Sequence, residues 1–171
     1  MNINIDCENE FESWNVDFEI VKSRAKSILE YYLKQPEIYD NCCLKGYDYD
    51  TISFDFLFCD SKKTHKINIE YRNKDYPADI ITFAVFADST EDERFVLGSE
   101  INLGEIIIAL DKMISGAKEK EISKEDELTF FISHGIMHLL GFDHQSEKDY
   151  NFVIDWQKKA LRSIDINYVK I

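Results

Sequence analysis

Residues 103–120 read LGEIIIALDKMISGAKEK, an apolar run that passes without a break into an amphipathic one. Leu103–Leu110, with Ile106, Ile107 and Ile108 in succession, predicts a buried strand, and Asp111–Glu119 predicts a helix leaving it directly. A strand feeding a helix is the building unit of an α/β domain. Upstream, the polar run Asp88–Arg94 predicts a loop and Asp79–Ala87 a second buried strand. In Tyr49–Cys59, Ile52, Phe54, Phe56 and Phe58 alternate with Thr51, Ser53, Asp55 and Leu57, as in a strand with one face on a core. Those phenylalanines therefore read as core rather than as stacking platforms. Ser61–Arg72 fits two patterns: Ile67, Ile69 and Tyr71 alternate, yet Thr64, Ile67, Asn68 and Tyr71 share one helical face. Val16–Lys34 has helical spacing with Pro36 just beyond it, and Asn2–Asp6 alternates like a short strand. Downstream, Ser123 predicts an N-cap with Glu125, Asp126 and Glu127 in the first turn, where the helix dipole favours acids. That helix runs to Leu140 and stops at Gly141, and Ser146 caps a last helix from Glu147 to Arg162. The expected architecture is one α/β (α+β-like) domain over residues 1–171, a mixed sheet of about four strands covered by helices.

Bulk properties narrow the function. A chain of 171 residues, 44% hydrophobic and 31% charged, can bury one sizeable core. No apolar run reaches the roughly 18 residues that span a bilayer. The acidic start, Met1–Glu12, lacks the basic and apolar segments of a signal peptide, so a cytoplasmic protein with no membrane partner is expected. The four cysteines show no C-x-x-C spacing and read as small, buried or half-exposed residues. A net charge of −13, from 33 acidic and 20 basic residues, opposes a nucleic-acid partner unless a basic cleft is built locally.

Three of the four histidines fall in the segment HGIMHLLGFDH, residues 134–144. Helical positions i and i+4 share a face, so His134 and His138 can meet one ion. Gly141 ends the helix and lets His144 return as a third ligand. Three neutral imidazoles hold zinc at the C-terminal end of that helix and leave a position for water, the arrangement of a catalytic site. Imidazole also suits nickel, copper and iron, so another divalent transition metal fits the same ligands. The spacing matches the zinc-peptidase pattern H-E-x-x-H-x-x-G-x-x-H except that Gly135 stands where the general-base glutamate belongs, which counts against a peptidase. Asp143 is placed to orient an imidazole from behind, or to serve only as a turn-forming aspartate.

The same segment resembles the pattern H-G-x-x-H-L-x-G-Y-D-H of the bacterial YbeY family, the endoribonucleases of ribosomal RNA maturation, with Phe142 in place of tyrosine. Residues 67–83, INIEYRNKDYPADIITF, are similar to that family's L-N-x-x-[YW]-R…P-T-D-V-L-S-F, and residues 103–108, LGEIII, to its L-G-D-I-x-I. Ala78 replaces a threonine, Thr82 a serine, Ala84 a proline and Glu105 an aspartate. The resemblance implies an α/β fold with residues 61–72 helical and one zinc ion on three histidines. It also implies cleavage of single-stranded RNA in ribosomal RNA maturation and ribosome quality control. The partners implied are ribosomal RNA, the small ribosomal subunit and ribosomal proteins. It makes Arg72 the second key residue; alone, Arg72 would read as a solvated surface residue. A guanidinium fork matches the oxygens of a phosphate transition state, and Lys74 lies beside it. Zinc lowers the pKa of a bound water toward about 7, leaving open direct attack by water or activation of the ribose 2′-hydroxyl. His65, with Lys62, Lys63 and Lys66, makes this segment the most basic of the chain, fit for an RNA-facing edge or for a solvated loop. Two other classes stay open: a non-catalytic ribosome-assembly factor with a structural metal, and another metallohydrolase acting on a small phosphoester or peptide.

Overall fold

The structure is a computed structural model that describes residues 1–168; the expected domain end at residue 171 lies outside that range. Ile106, Ile107 and Ile108 all lie in a strand, β4 (Glu100–Ala109), because both of its faces are covered. Ile106 and Ile108 enter the main core, and Ile107 enters a smaller cluster with Ile67, Ala78 and Ile81 on the other face. The remaining elements are β1 (Asn2–Asn9), α1 (Phe18–Leu33), α2 (Pro36–Tyr39), β2 (Thr51–Cys59), α3 (Ser61–Arg72), β3 (Ile80–Phe83), α4 (Leu110–Lys120), α5 (Lys124–Leu139) and α6 (Glu147–Ser163). The sheet order is β1-β2-β4-β3, with β1, β2 and β4 parallel and β3 antiparallel to β4. This is the α/β fold expected, with a four-stranded mixed sheet.

One bulge explains the pattern of β4. Ser53 pairs with Asn102 and Phe54 with Gly104, so Leu103 is the extra residue. Inward positions consequently switch from Ile101 and Leu103 to Ile106 and Ile108, all fully buried. Gly104 takes φ +129°, and a Cβ there would collide with the Phe83 carbonyl oxygen. That contact limits β3. The strand expected over Asp79–Ala87 covers only Ile80–Phe83, and a turn follows at once, closed by the Asp88 amide donating to the Ala84 carbonyl at 2.8 Å. β1 runs further than expected, to Asn9, because its whole length pairs with β2. The ambiguous segment 61–72 is helical, as the resemblance implied, with Asp60 capping its N-terminus.

Ile52, Phe54, Phe56 and Phe58 point from β2 into the main core, which extends in sequence from Ile5 to Tyr168. Burial surrounds α5, which packs on α1, α4, α6 and the sheet, as an apolar helix must. The cysteines are free thiols, three buried and Cys7 half-buried. Among the described residues no helix is long and apolar enough to cross a membrane. Residues 88–94 form the expected loop, pinned by Arg94, which donates to the Phe86 and Ala87 carbonyls at 2.8 Å each.

Candidate metal centre

The helix that carries two of the histidines is held at both ends. Ser123 Oγ accepts from the Asp126 amide at 3.1 Å, with three acids in the first turn. At the other end Gly141 adopts φ +100°. Its amide donates to the His138 carbonyl and the Phe142 amide to that of Met137, both at 3.0 Å, the paired bonds of a Schellman turn. The loop after α2 takes up a further end carbonyl, Cys43 N donating to Leu140 O at 2.9 Å. Phe142 then stacks on Phe152 of α6, ring centroids 5.7 Å apart. His144 is thereby returned toward α5, its ring edge-on to Tyr150 at 5.9 Å.

The three imidazoles converge. His134 Nε2 lies 3.1 Å from His138 Nε2 and 3.3 Å from His144 Nε2. Metal bonds of about 2.0–2.1 Å in a tetrahedron put neighbouring ligand atoms about 3.3–3.4 Å apart, so the spacing fits one ion. Ligand atoms of all three lie within 4.8 Å of one another, the one such histidine, cysteine or carboxylate group among the described residues. The ligands must be neutral, and the site favours that form. Burial, then the neighbouring His134, His144 and Arg72, pushes His138 down to about 3. His134 is lowered chiefly by burial, opposed by its hydrogen bond to Gln157. The C-terminal end of α5 also favours a cation.

A cleft of about 680 Å³ opens beside the histidines. Arg72, Lys74, Lys112 and Lys120 line it, with Asp79 as its one acid. Arg72 occupies the last turn of α3 and donates to Asn68 Oδ1 at 3.1 Å; Asn68 is fully buried and donates in turn to the Tyr76 carbonyl. The left-handed Asn73, φ 52°, ends the helix there and turns Lys74 into the cleft rim. Lys120 is paired with buried Glu127 at 3.1 Å, whereas Arg72, Lys74 and Lys112 meet no carboxylate among the described residues.

The YbeY family model, described as Endoribonuclease YbeY, matches residues 6–165. The chain belongs to the YbeY family. Curated members named Endoribonuclease YbeY include that of Malacoplasma penetrans, 40% identical over 65% of this chain and 69% of that one. Those of Spiroplasma citri (34%, over 71% and 77%) and Zymomonas mobilis (37%, over 70% and 68%) are also similar. The solution structure of TM1509 from Thermotoga maritima shares the fold, with a TM-score of 0.52 at 18% identity over 95% of this chain and 91% of that one.

Two expectations for this YbeY-family site change. Asp143 accepts from Gln145 Nε2 at 2.9 Å, and among the described residues it makes no hydrogen bond to an imidazole. The partner of an imidazole is instead Gln157 on α6, whose Oε1 lies 3.0 Å from His134 Nδ1. The basic segment divides as well. His65 faces Asp75, Lys63 faces Glu10 and Lys66 faces Glu70, which leaves Arg72 and Lys74 as its contribution to the cleft.

Proposed function

We propose that this chain is a zinc-dependent endoribonuclease that cuts single-stranded RNA in ribosomal RNA maturation and ribosome quality control. It would work in the cytoplasm as a single domain, residues 1–171, on the RNA of the small ribosomal subunit and beside ribosomal proteins. The reading is carried by the convergence of three imidazoles, His134 Nε2 lying 3.1 and 3.3 Å from the Nε2 atoms of the other two, on the wall of a cleft whose Arg72, Lys74 and Lys112 meet no carboxylate among the described residues.

His134, His138 and His144 would hold the ion, with zinc favoured by an all-imidazole set that lacks thiolates or redox ligands. When bound, the ion supplies Lewis acidity, making a water acidic enough to act near neutral pH and drawing electron density from a phosphoryl oxygen. Arg72 presents its guanidinium, steadied by Asn68, to the non-bridging oxygens of the phosphodiester, where charge grows in the transition state. Lys74 adds a flexible cation at the rim and steers the strand. The peptidase alternative loses its base, because position 135 packs on Ile106 of the sheet and has no room for a side chain.

The test is incubation of metal-loaded protein with single-stranded RNA, beside folded His138→Ala and Arg72→Ala variants. Cleavage should vanish in the first and fall about 10²–10³-fold in the second. Elemental analysis should find one zinc per chain in the native protein and in Arg72→Ala. Absence of metal from the native protein refutes the site. Ribosome binding that survives Arg72→Ala, with no cleavage by any form, refutes the nuclease and favours an assembly factor.

A further inference from the structure

A glutamine interrupts the apolar stripe of α6. Val153, Ile154, Trp156, Ala160 and Leu161 are buried, and so, completely, is Gln157 among them. An amide in such a place is costly unless its donors and acceptor are met. Here they are. Nε2 donates to the Phe130 carbonyl at 3.2 Å and to Ser133 Oγ at 3.1 Å, and Oε1 faces His134 Nδ1 at 3.0 Å.

The chemistry of these partners fixes the direction of every bond. The Phe130 carbonyl only accepts, so the amide nitrogen must be the end that faces it. The amide oxygen is then the end at His134, and it too only accepts. His134 Nδ1 must therefore carry the ring proton. A neutral imidazole has one such proton, so Nε2 is left with a bare lone pair. Nε2 is the atom that faces the other two histidines.

We propose that Gln157 is a positioning residue, which locks His134 in the Nδ1–H tautomer and aims its Nε2 at the ion. The proposal rests on the metal reading given above. Ligating histidines commonly give their second N–H to a carboxylate or backbone carbonyl. A side-chain amide does this here without burying a negative charge beside the site. Removing it would let the ring rotate and divide between tautomers, only one of which presents a lone pair in the right place.

The test compares full-length native protein with Gln157→Met, similar in length but unable to accept this bond, and with Ser133→Ala. The latter removes one donor contact of the amide and leaves Oε1 on His134. Zinc affinity is read by competition with a chromogenic chelator, and the His134 tautomer by ring ¹⁵N NMR on metal-free protein. Gln157→Met should bind zinc about 10- to 100-fold more weakly and show mixed tautomers. Ser133→Ala should lower Tm yet keep both the affinity and the Nδ1–H form. Native affinity in a folded Gln157→Met, or equal losses in both variants, overturns the proposal by reducing Gln157 to packing. Should Gln157→Met fail to fold, the native tautomer decides: a proton on Nε2 of His134 overturns it. Failure of the native protein to bind zinc sinks the metal reading instead, a result separable because the tautomer is read without metal.

Discussion

A β-carbon at position 135 would lie 2.7 Å from Cδ1 and 2.8 Å from Cγ2 of Ile106, a fully buried residue. That single contact accounts for the missing glutamate of the peptidase pattern, since the face of α5 at Gly135 is pressed onto β4. Replacing Gly135 with alanine gains about 1 kcal/mol in helix propensity, but overpacking costs about 1–3 kcal/mol. The expected net effect is a lower Tm, and Gly135→Glu should not fold. A Gly135→Ala Tm at or above the native value would show that Ile106 yields freely. The sequence displayed this glycine as a departure and withheld its reason, because Ile106 belongs to another element. The same holds for Gln157, whose link to His134 crosses two helices. Its trace was nevertheless legible: a lone amide among Val153, Trp156, Ala160 and Leu161 occupies a core position. His134, His138 and His144 were readable because their geometry is local, one helical turn and one glycine-ended bend.

At the scale of elements, the end of α5 matters most, because the turn after it decides where His144 goes. Gly141 has φ +100°, a conformation that strains any residue with a side chain. Gly141→Ala should cost about 1–2 kcal/mol and should also weaken metal binding, since Phe142 and His144 follow the turn. Gly116, inside α4, is the control, because a β-carbon there would meet nothing within 4 Å. Gly116→Ala should raise stability by about 0.5–1 kcal/mol and leave metal binding alone. Equal metal affinity in native and Gly141→Ala protein would separate the turn from the site. Caps such as Ser123, Gly141 and Ser146 were legible because their chemistry is short-range. The extents of β1 and β3 were not, since pairing with β2 lengthens the first and the Gly104 bulge ends the second. The four-residue α2 escaped because Pro36, read as a stop signal, also opens a helix at its first position.

For the whole molecule, burial of neutral imidazoles ties stability to pH. An imidazole ordinarily titrates near 6.5, and His138 in the folded, metal-free protein is held down to about 3. Above about pH 6.5 neither folded nor unfolded chain carries that proton, and nothing is lost. Below it the unfolded chain takes up a proton the folded site refuses, so stability falls as the pH drops toward 3. Melts of metal-free protein between about pH 7 and about pH 4 should therefore slope more steeply than those of His138→Gln, and parallel curves would refute the linkage. Charge acts on RNA at the same scale. A chain of net charge −13 repels a polyanion, while its cleft offers Arg72, Lys74 and Lys112, which meet no carboxylate among the described residues. On a single strand each neutralised phosphate contributes about −0.7 to the slope of log affinity against log salt, so three contacts give about −2. Salt also screens the repulsion beyond about 10 Å, which opposes that loss and makes the net slope shallower still. Anisotropy titrations of a single-stranded oligoribonucleotide should show this weak dependence, and Arg72→Ala or Lys74→Ala should each flatten it by about 0.7. A slope steeper than about −3 would mean that RNA runs across basic surface outside the cleft, and would detach substrate binding from the three histidines.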